Sequence, residues 1–182
     1  PVSGIFKYEK QIFLEVERFD RVGKRGRRGL LSLGSLDAEF VGKLGTWSET
    51  ALALSQLKII DEPSCRSILW LDHFGSLIAN TDRHRGNISF RAKKAKPLGL
   101  APVYDMLPML YFPHYGQMVT PSFEPVPPAP AQAVGWQSAC VAAQKFWREA
   151  ATHPLISKKF RAVAKTNAAQ LQALAKLGAY LP

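Results

Sequence analysis

Nine of the thirteen proline residues lie between Pro97 and Pro130. Proline lacks a backbone N–H group and fixes its φ angle, so a long regular helix cannot run through such a segment. The sequence therefore predicts an ordered loop that wraps over the surface, with the regular elements on either side of it.

The residues before this loop carry both strand and helix patterns. Within residues 11–19, Ile12, Leu14 and Val16 lie on one face and Glu15 and Glu17 on the other, as in a half-buried strand. From Ser35 onward the apolar spacing is helical, and Asp61 and Ser64 are candidate caps for a long buried helix. Residues 88–90 and 98–103 then resemble two strands of a hairpin.

Two alanine-rich amphipathic patterns, over residues 131–151 and 157–177, predict two closing helices. The expected fold class is mainly α with a small β-hairpin component. A length of 182 residues fits one domain, and 47% hydrophobic residues exclude global disorder.

The two cysteines and the lack of long apolar runs bear on location. Cys65 and Cys140 are too few and too far apart for a disulfide framework, which favours buried thiols in a reducing cytoplasm. The apolar runs fall well short of the roughly 20 residues that a membrane span needs. The first residues resemble a cut in a longer protein, since no Met stands at position 1.

The formal net charge of +10 favours nucleic acid, nucleotide phosphates, anionic lipid or an acidic partner. Five of the eight residues 21–28 are Lys or Arg, and glycines separate them. This segment is predicted to be an exposed, phosphate-friendly turn. It fits a substrate contact, and it equally fits a solubilising loop.

Residues 80–87 form a polar run that breaks the helical periodicity. Asp82 and Asn87 have the spacing of a kinase catalytic loop, where a carboxylate accepts the proton of the attacking hydroxyl group and a carboxamide holds Mg²⁺. Asp105 follows the next predicted hairpin, where kinases place a second Mg²⁺ ligand. The spacing is also compatible with a capped loop in which Asp82 and Asn87 satisfy backbone donors. His84 has no second His or Cys at zinc spacing, so we expect it to brace the loop by hydrogen bonds.

Three runs of sequence carry a resemblance to a known family. The runs are FLEVERFDR at residues 13–21, NTDRHRGNISF at residues 80–90 and LAPVYDMLP at residues 100–108. In this order they resemble the C-terminal part of HipA-type serine/threonine kinases over residues 11–177. The runs LSLG at residues 31–34 and PMLY at residues 108–111 are most similar to the YjjJ (HipH) branch.

The resemblance implies ATP and Mg²⁺ as cofactors and assigns roles to single residues. Asp82 would be the catalytic base, and Asn87 and Asp105 would hold Mg²⁺. Glu17 and Phe19 would offer backbone groups to adenine, although they also fit ordinary strand residues. His84 is counted with the nucleotide-binding residues.

The resemblance also implies an organisation and a set of partners. Residues 1–22 would be the last N-lobe strand and the hinge, and residues 23–182 a helical kinase C-lobe with a catalytic loop at 80–90 and a Pro-rich loop at 107–130. No phosphate loop or strand lysine precedes the hinge in this sequence. An N-lobe from the same or a separate chain is therefore the expected partner. Without it, we expect the chain to be nearly inactive. Thr81 replaces the arginine that precedes the catalytic Asp in common protein kinases.

Further partners would be a helix-turn-helix antitoxin and a protein substrate, an aminoacyl-tRNA synthetase in some relatives. No membrane is expected, and DNA would be contacted only through the antitoxin. Two alternatives of another class stay open: a pseudokinase-like protein-interaction module without catalysis, and a basic nucleic-acid-binding domain.

Overall fold

The computed structural model describes residues 2–9, 11–113, 115–117, 121–129 and 132–178. Within these residues lie five α-helices and six short β-strands, which form three separate two-stranded antiparallel sheets. The predicted fold class, mainly helical with small hairpins, is confirmed. The chain divides into two compact units, the first formed by Pro1–Ser64 and Arg85–Asp105, the second by Cys65–His84 and Met106–Pro182.

The first unit begins with a hairpin of β1 (Ser3–Tyr8) and β2 (Gln11–Val16). Phe6 lies opposite Phe13, and their rings stack with centroids 5.2 Å apart. Every residue of both strands is exposed, so the prediction of a half-buried strand over residues 11–19 is wrong in burial and in its end. The alternation is present, but no other described segment covers either face of the hairpin.

Two further sheets complete the strands of this unit. β3 (Arg21–Val22) pairs with β4 (Gly26–Arg27), and β5 (Leu30–Ser32) pairs with β6 (Ser89–Arg91). The second predicted strand, residues 98–103, is not a regular strand, because only Leu98 and Leu100 form isolated bridges. Pro97 and Pro102 at its two ends cannot donate to a ladder, which limits the pairing.

Helices α1 (Leu33–Phe40) and α2 (Trp47–Gln56) pack against each other in the first unit. The hydroxyl group of Ser32 caps α1, and Thr46 with Glu49 forms a capping box at α2. The buried apolar side chains of this unit include Leu33, Leu36, Trp47, Leu54, Ile60, Ile88, Phe90 and Leu98.

Helix α3 (Glu62–Leu77) contains the point where the chain passes from one unit to the other. Asp61 accepts a hydrogen bond from the backbone N–H of Ser64 at 2.7 Å, so it caps α3 as predicted. The predicted capping role of Ser64 is wrong. Ser64 lies inside the first turn, and its hydroxyl group accepts from the N–H of Leu100 at 2.8 Å.

The second unit combines most of α3 with α4 (Trp136–Thr152) and α5 (Lys158–Gly178). The two predicted closing helices are present, although α4 begins at Trp136 rather than at residue 131, which lies outside the described residues. Trp147 is fully buried in their core, and its indole N–H donates to the carbonyl oxygen of Leu77 at 2.9 Å. The apolar core also contains Ile78, Tyr111, Phe123, Trp136, Ala139, Ala143, Ala164, Leu171 and Leu174.

The proline-rich segment contains one 3₁₀ turn, Met109–Tyr111, and no α-helix among its described residues. Its prediction as an ordered loop over residues 107–130 also covers residues 114, 118–120 and 130, which lie outside the described part. The turn is anchored by a hydrogen bond from the N–H of Leu110 to the carbonyl oxygen of Ala79 at 3.0 Å. Tyr111 and Asn167 are buried and exchange hydrogen bonds, which fixes the turn to α5.

Both cysteines are buried and free, as the sequence predicts. Burial raises the pKa of the Cys140 thiol, so this side chain stays in its unreactive protonated form. Among the described residues, no helix combines the length and the apolar character that crossing a membrane requires.

Candidate functional site

A pocket lies in the first unit where β2 ends. Its volume is about 380 Å³, within the range of about 300–1,000 Å³ that is usual for small-molecule sites. Its lining residues are Val16, Glu17, Arg18, Phe19, Asp20, Leu30 and Tyr104, and we call it the Phe19 pocket. It therefore contains both residues that the resemblance assigns to adenine.

Glu17 and Phe19 differ in which backbone groups they can offer. The N–H of Glu17 already donates to the carbonyl oxygen of Val2 at 2.9 Å. Among the described residues, the carbonyl oxygen of Glu17 and the N–H of Phe19 have no backbone partner. These two groups are available for a bound molecule, and their role towards adenine stays a prediction.

Arg18 and Asp20 form an ion pair at the rim of the Phe19 pocket. Nε and Nη2 of Arg18 donate to the two carboxylate oxygens of Asp20 at 2.8 and 2.7 Å. These hydrogen bonds hold the pKa of Asp20 below its ordinary value of 3.8 and raise the pKa of Arg18. The pair shapes the turn that leads from β2 into β3.

Tyr104 connects the Phe19 pocket with the polar run. Its ring lies 6.0 Å from the ring of Phe19, centroid to centroid, and its hydroxyl group donates to the carbonyl oxygen of Gly86 at 2.7 Å. The hydroxyl groups of Tyr104 and Ser89 are also 2.8 Å apart. Since the Tyr104 proton is directed at Gly86, Ser89 is the donor of this second bond. The sequence pattern predicts no role for Tyr104, and the one signal it offers is the position next to Asp105.

The two predicted Mg²⁺ ligands both lie in the first unit. Asn87 directly follows Gly86 and is 4% exposed, whereas Asp105 directly follows Tyr104 and is exposed. The Tyr104–Gly86 hydrogen bond therefore joins the two segments that carry them. Asp105 has a φ angle of 59°, a left-handed conformation that is uncommon for a non-glycine residue and that clusters at functional sites.

The segment after His84 is anchored by Arg85. Its Nη1 donates to Oδ2 of Asp37 at 2.8 Å, and the carboxylate of Asp37 is 1% exposed. The carbonyl oxygen of Arg85 also accepts from the N–H of Gly34. A buried carboxylate needs such a charged partner, so this ion pair fixes the start of the segment that leads to Asn87.

The other two candidate residues, Asp82 and His84, lie in the second unit, and both are exposed. The loop around Asp82 is held by Asn80, whose Oδ1 accepts from the N–H of Asp82 at 2.9 Å. Asn80 is fully buried, and its Nδ2 contacts the sulfur of Met106 at 3.8 Å. The predicted site residues do not include Asn80, although an Asn side chain that accepts from the backbone two residues later is a common turn signal.

Arg83 ties the same loop to α3. Its Nε donates to Oδ1 of Asp72 at 3.2 Å, and its Nη1 donates to the carbonyl oxygen of Asn80. Gly75 leaves room for the Arg83 side chain, because a Cβ atom at Gly75 would lie 2.7 Å from Cδ of Arg83. The backbone around Asp82 is thus held by the hydrogen bonds of Asn80 and Arg83, which all lie within the second unit.

Comparisons with known proteins identify the family. The profile of the HipA-like C-terminal domain matches residues 1–175. The chain is 37% identical over 159 residues to the toxin YjjJ of Escherichia coli strain K12, and the match covers 86% of this chain and 35% of YjjJ. It thus spans about a third of the length of this curated relative.

A solved structure has a similar fold. It is a chain of the Shewanella oneidensis MR-1 toxin–antitoxin complex of HipA, HipB and operator DNA, with a TM-score of 0.53 and 17% identity. The similarity covers 96% of this chain and 50% of that chain. At this level of identity it shows a shared fold. Together with the profile match and the identity to YjjJ, it leads to one conclusion: the chain belongs to the HipA-like C-terminal domain family, on the YjjJ branch.

Proposed function

We propose that this chain is the catalytic C-lobe of a HipA-like toxin serine/threonine kinase. It would transfer the γ-phosphate of ATP to a protein hydroxyl group once an N-lobe is supplied. The observation that carries this proposal is the Tyr104–Gly86 hydrogen bond. It ties the Phe19 pocket to the two segments that bear Asn87 and Asp105.

The Phe19 pocket has the chemistry that a purine base needs. Phe19 and Tyr104 offer aromatic rings, and Val16 and Leu30 offer aliphatic side chains. The carbonyl oxygen of Glu17 and the N–H of Phe19 supply one acceptor and one donor. Few polar groups in a mostly apolar wall are typical of cofactor sites.

Asn87 and Asp105 fit a Mg²⁺ ion because both offer hard oxygen ligands. When bound, Mg²⁺ neutralises the charge that develops on the β- and γ-phosphates. The left-handed backbone at Asp105 supports this assignment, since such a conformation persists where the surrounding structure enforces it.

Asp82 would accept the proton of the attacking hydroxyl group. Its carboxylate is exposed and can reach a protein substrate, while Asn80 and Arg83 hold the backbone of its loop. His84 would brace the same loop by hydrogen bonds. General base catalysis of this kind contributes roughly 10²–10⁴-fold to a rate.

The β1–β2 hairpin supports the need for an N-lobe. A two-stranded hairpin is at best marginally stable alone, and this one exposes large apolar side chains on both faces. Ile5, Phe6 and Leu14 are between 50% and 61% exposed. A covering lobe, from the same or a separate chain, would bury them and supply further phosphate contacts.

The remaining partners follow from the family. The solved relative was studied with the antitoxin HipB and operator DNA. A helix-turn-helix antitoxin is therefore the proposed regulatory partner, the cytoplasm the proposed location, and a protein such as an aminoacyl-tRNA synthetase the proposed substrate.

The test measures phosphoryl transfer from γ-labelled ATP by this chain, alone and mixed with an N-lobe. We expect transfer only with both lobes present, and a loss of roughly 10²–10⁴-fold in Asp82→Asn. Glu39→Gln, which removes an exposed carboxylate from α1, is the matched control and should keep full activity. Transfer that survives Asp82→Asn contradicts the proposal. Unchanged Mg-ATP affinity in Asp105→Asn would favour an interaction module without catalysis.

A further inference from the structure

The first unit builds a basic surface from two segments that are far apart in sequence. One is residues 20–29, which contain the β3–β4 ribbon, and the other is residues 91–96, which begin at the last residue of β6. Leu30 pairs with Arg91, and the N–H of Ala92 donates to the carbonyl oxygen of Gly29 at 2.9 Å. A Cβ atom at Gly29 would lie 3.0 Å from Cβ of Ala92, so the two backbones are in close contact. We call these two segments together the basic patch.

The basic patch carries most of the net charge of the chain. Five of the ten residues 20–29 and four of the six residues 91–96 are Lys or Arg, against one carboxylate, Asp20. The patch therefore holds +8 of the total +10. Asp20 is already engaged by both hydrogen bonds from Arg18.

The cations of the basic patch are exposed and largely unneutralised. All residues from 21 to 29 and from 91 to 96 are exposed. Within the described part of the chain, the 3.9 Å contact between Arg21 and Asp20 is the one ion pair that any of them makes. Such a density of unpaired positive charge attracts a polyanion by the release of its counterions.

The composition of the basic patch decides which polyanion fits. Its two segments contain no aromatic residue, whereas single-stranded nucleic acids are bound by bases stacking on aromatic rings. The Phe40 ring beside the patch is occupied by the ammonium group of Lys96, 3.9 Å from its centroid. The segments also lack Ser, Thr, Asn, Gln and His, which could exchange hydrogen bonds with the 2′-hydroxyl group of RNA.

An acidic protein surface fits less well than nucleic acid. Tight protein interfaces depend on buried aromatic and apolar anchors, and the basic patch offers only Val22 and two alanines besides its glycines and cations. We propose that the basic patch binds the phosphate backbone of duplex DNA, without reading its sequence. This contact would be made by the chain itself, in addition to any contact made through an antitoxin, and it does not depend on phosphoryl transfer.

The test is fluorescence anisotropy of the full chain with a labelled 20-base-pair DNA duplex of arbitrary sequence at increasing salt. With five to eight phosphates contacted, log K should fall with log salt at a slope of roughly −4 to −7. The variant with Lys24, Arg25, Arg27 and Arg28 all changed to Gln should reduce this slope by about 3 to 4 and weaken binding more than tenfold at 0.1 M salt. The double variant Lys93→Gln with Lys94→Gln should reduce the slope by about 1 to 2.

A matched control removes the same charge from another place. Lys158, Lys159, Lys165 and Lys176 are exposed on α5, and changing all four to Gln should alter the slope by less than 1. Equal losses in both fourfold variants would overturn the proposal, because net charge would then explain the binding. Circular dichroism is used to check that each variant is folded.

Three probes separate the other polyanions. The single strand of the same sequence and a 20-base-pair RNA duplex should bind more weakly than the DNA duplex. Equal or tighter binding of either one overturns the proposal, and so does poly-glutamate that competes with DNA at equal charge. The last result would assign the basic patch to an acidic protein.

Discussion

The hydroxyl group of Tyr104 donates a hydrogen bond of 2.7 Å to the carbonyl oxygen of Gly86, 18 residues earlier in the chain. Asn87 and Asp105, the two proposed Mg²⁺ ligands, are the next residues after its two ends. Together with the backbone hydrogen bond from the N–H of Ala101 to the carbonyl oxygen of Ser89, this bond holds the two segments that carry the ligands.

Tyr104→Phe should lower the free energy of unfolding by about 1–2 kcal/mol, because the carbonyl oxygen of Gly86 and the hydroxyl group of Ser89 both lose a partner. Urea denaturation followed by tryptophan fluorescence measures this change. Tyr115→Phe is the control, since Tyr115 is fully exposed. Equal stability of the two variants would show that the bond contributes nothing.

Arg85→Met should destabilise the chain by roughly 2–4 kcal/mol, since it leaves the buried carboxylate of Asp37 without its charged partner. The double variant with Asp37→Asn should recover part of this loss, because no buried charge remains. The same denaturation experiment gives the coupling energy from the double-mutant cycle. Arg148→Met, at an exposed position of α4, should change stability by less than about 0.5 kcal/mol.

Gly75→Ala should destabilise the chain by about 1 kcal/mol, although alanine favours a helix by a similar amount. The reason is the 2.7 Å approach of Cδ of Arg83, which would have to leave its bonds to Asp72 and Asn80. In an Arg83→Met background the same change should be neutral or stabilising. A cost that is equal in both backgrounds would rule out this contact as the cause, and Ser76→Ala serves as the helix-propensity control.

The pKa of Asp20 should lie below 3.8, because Arg18 stabilises its ionised form by two hydrogen bonds. A folded-state pKa that is lowered contributes stability above the unfolded value, and this contribution is lost as the pH falls through the folded value. Carboxyl-carbon NMR titration measures it. Arg18→Gln should return the pKa towards 3.8, whereas Lys24→Gln should move it much less. No change in Arg18→Gln would contradict the assignment.

Local patterns predicted the helices well and the first strand poorly. Asp61 was identified as a cap because capping depends on a few neighbouring residues. The predicted burial of residues 11–16 is wrong because an alternating pattern shows only which face of a strand could be buried. Whether that face is buried depends on the segments that pack against it. Ser64 is of a residue type that often caps helices, yet its hydroxyl group accepts a hydrogen bond from the N–H of Leu100, 36 residues away.

The amino-acid order alone determined the helical class, the proline-rich loop, the two free thiols and the motifs that place the chain in its family. These depend on periodicity, on missing donors and on residue types at short spacing. Only the tertiary structure decided that Tyr104 faces Gly86, that Arg85 neutralises Asp37 and that Arg91 and Ala92 lie against Leu30 and Gly29. Such contacts join residues that the chain separates by tens of positions, so they arise from the packing of the core and not from any local preference.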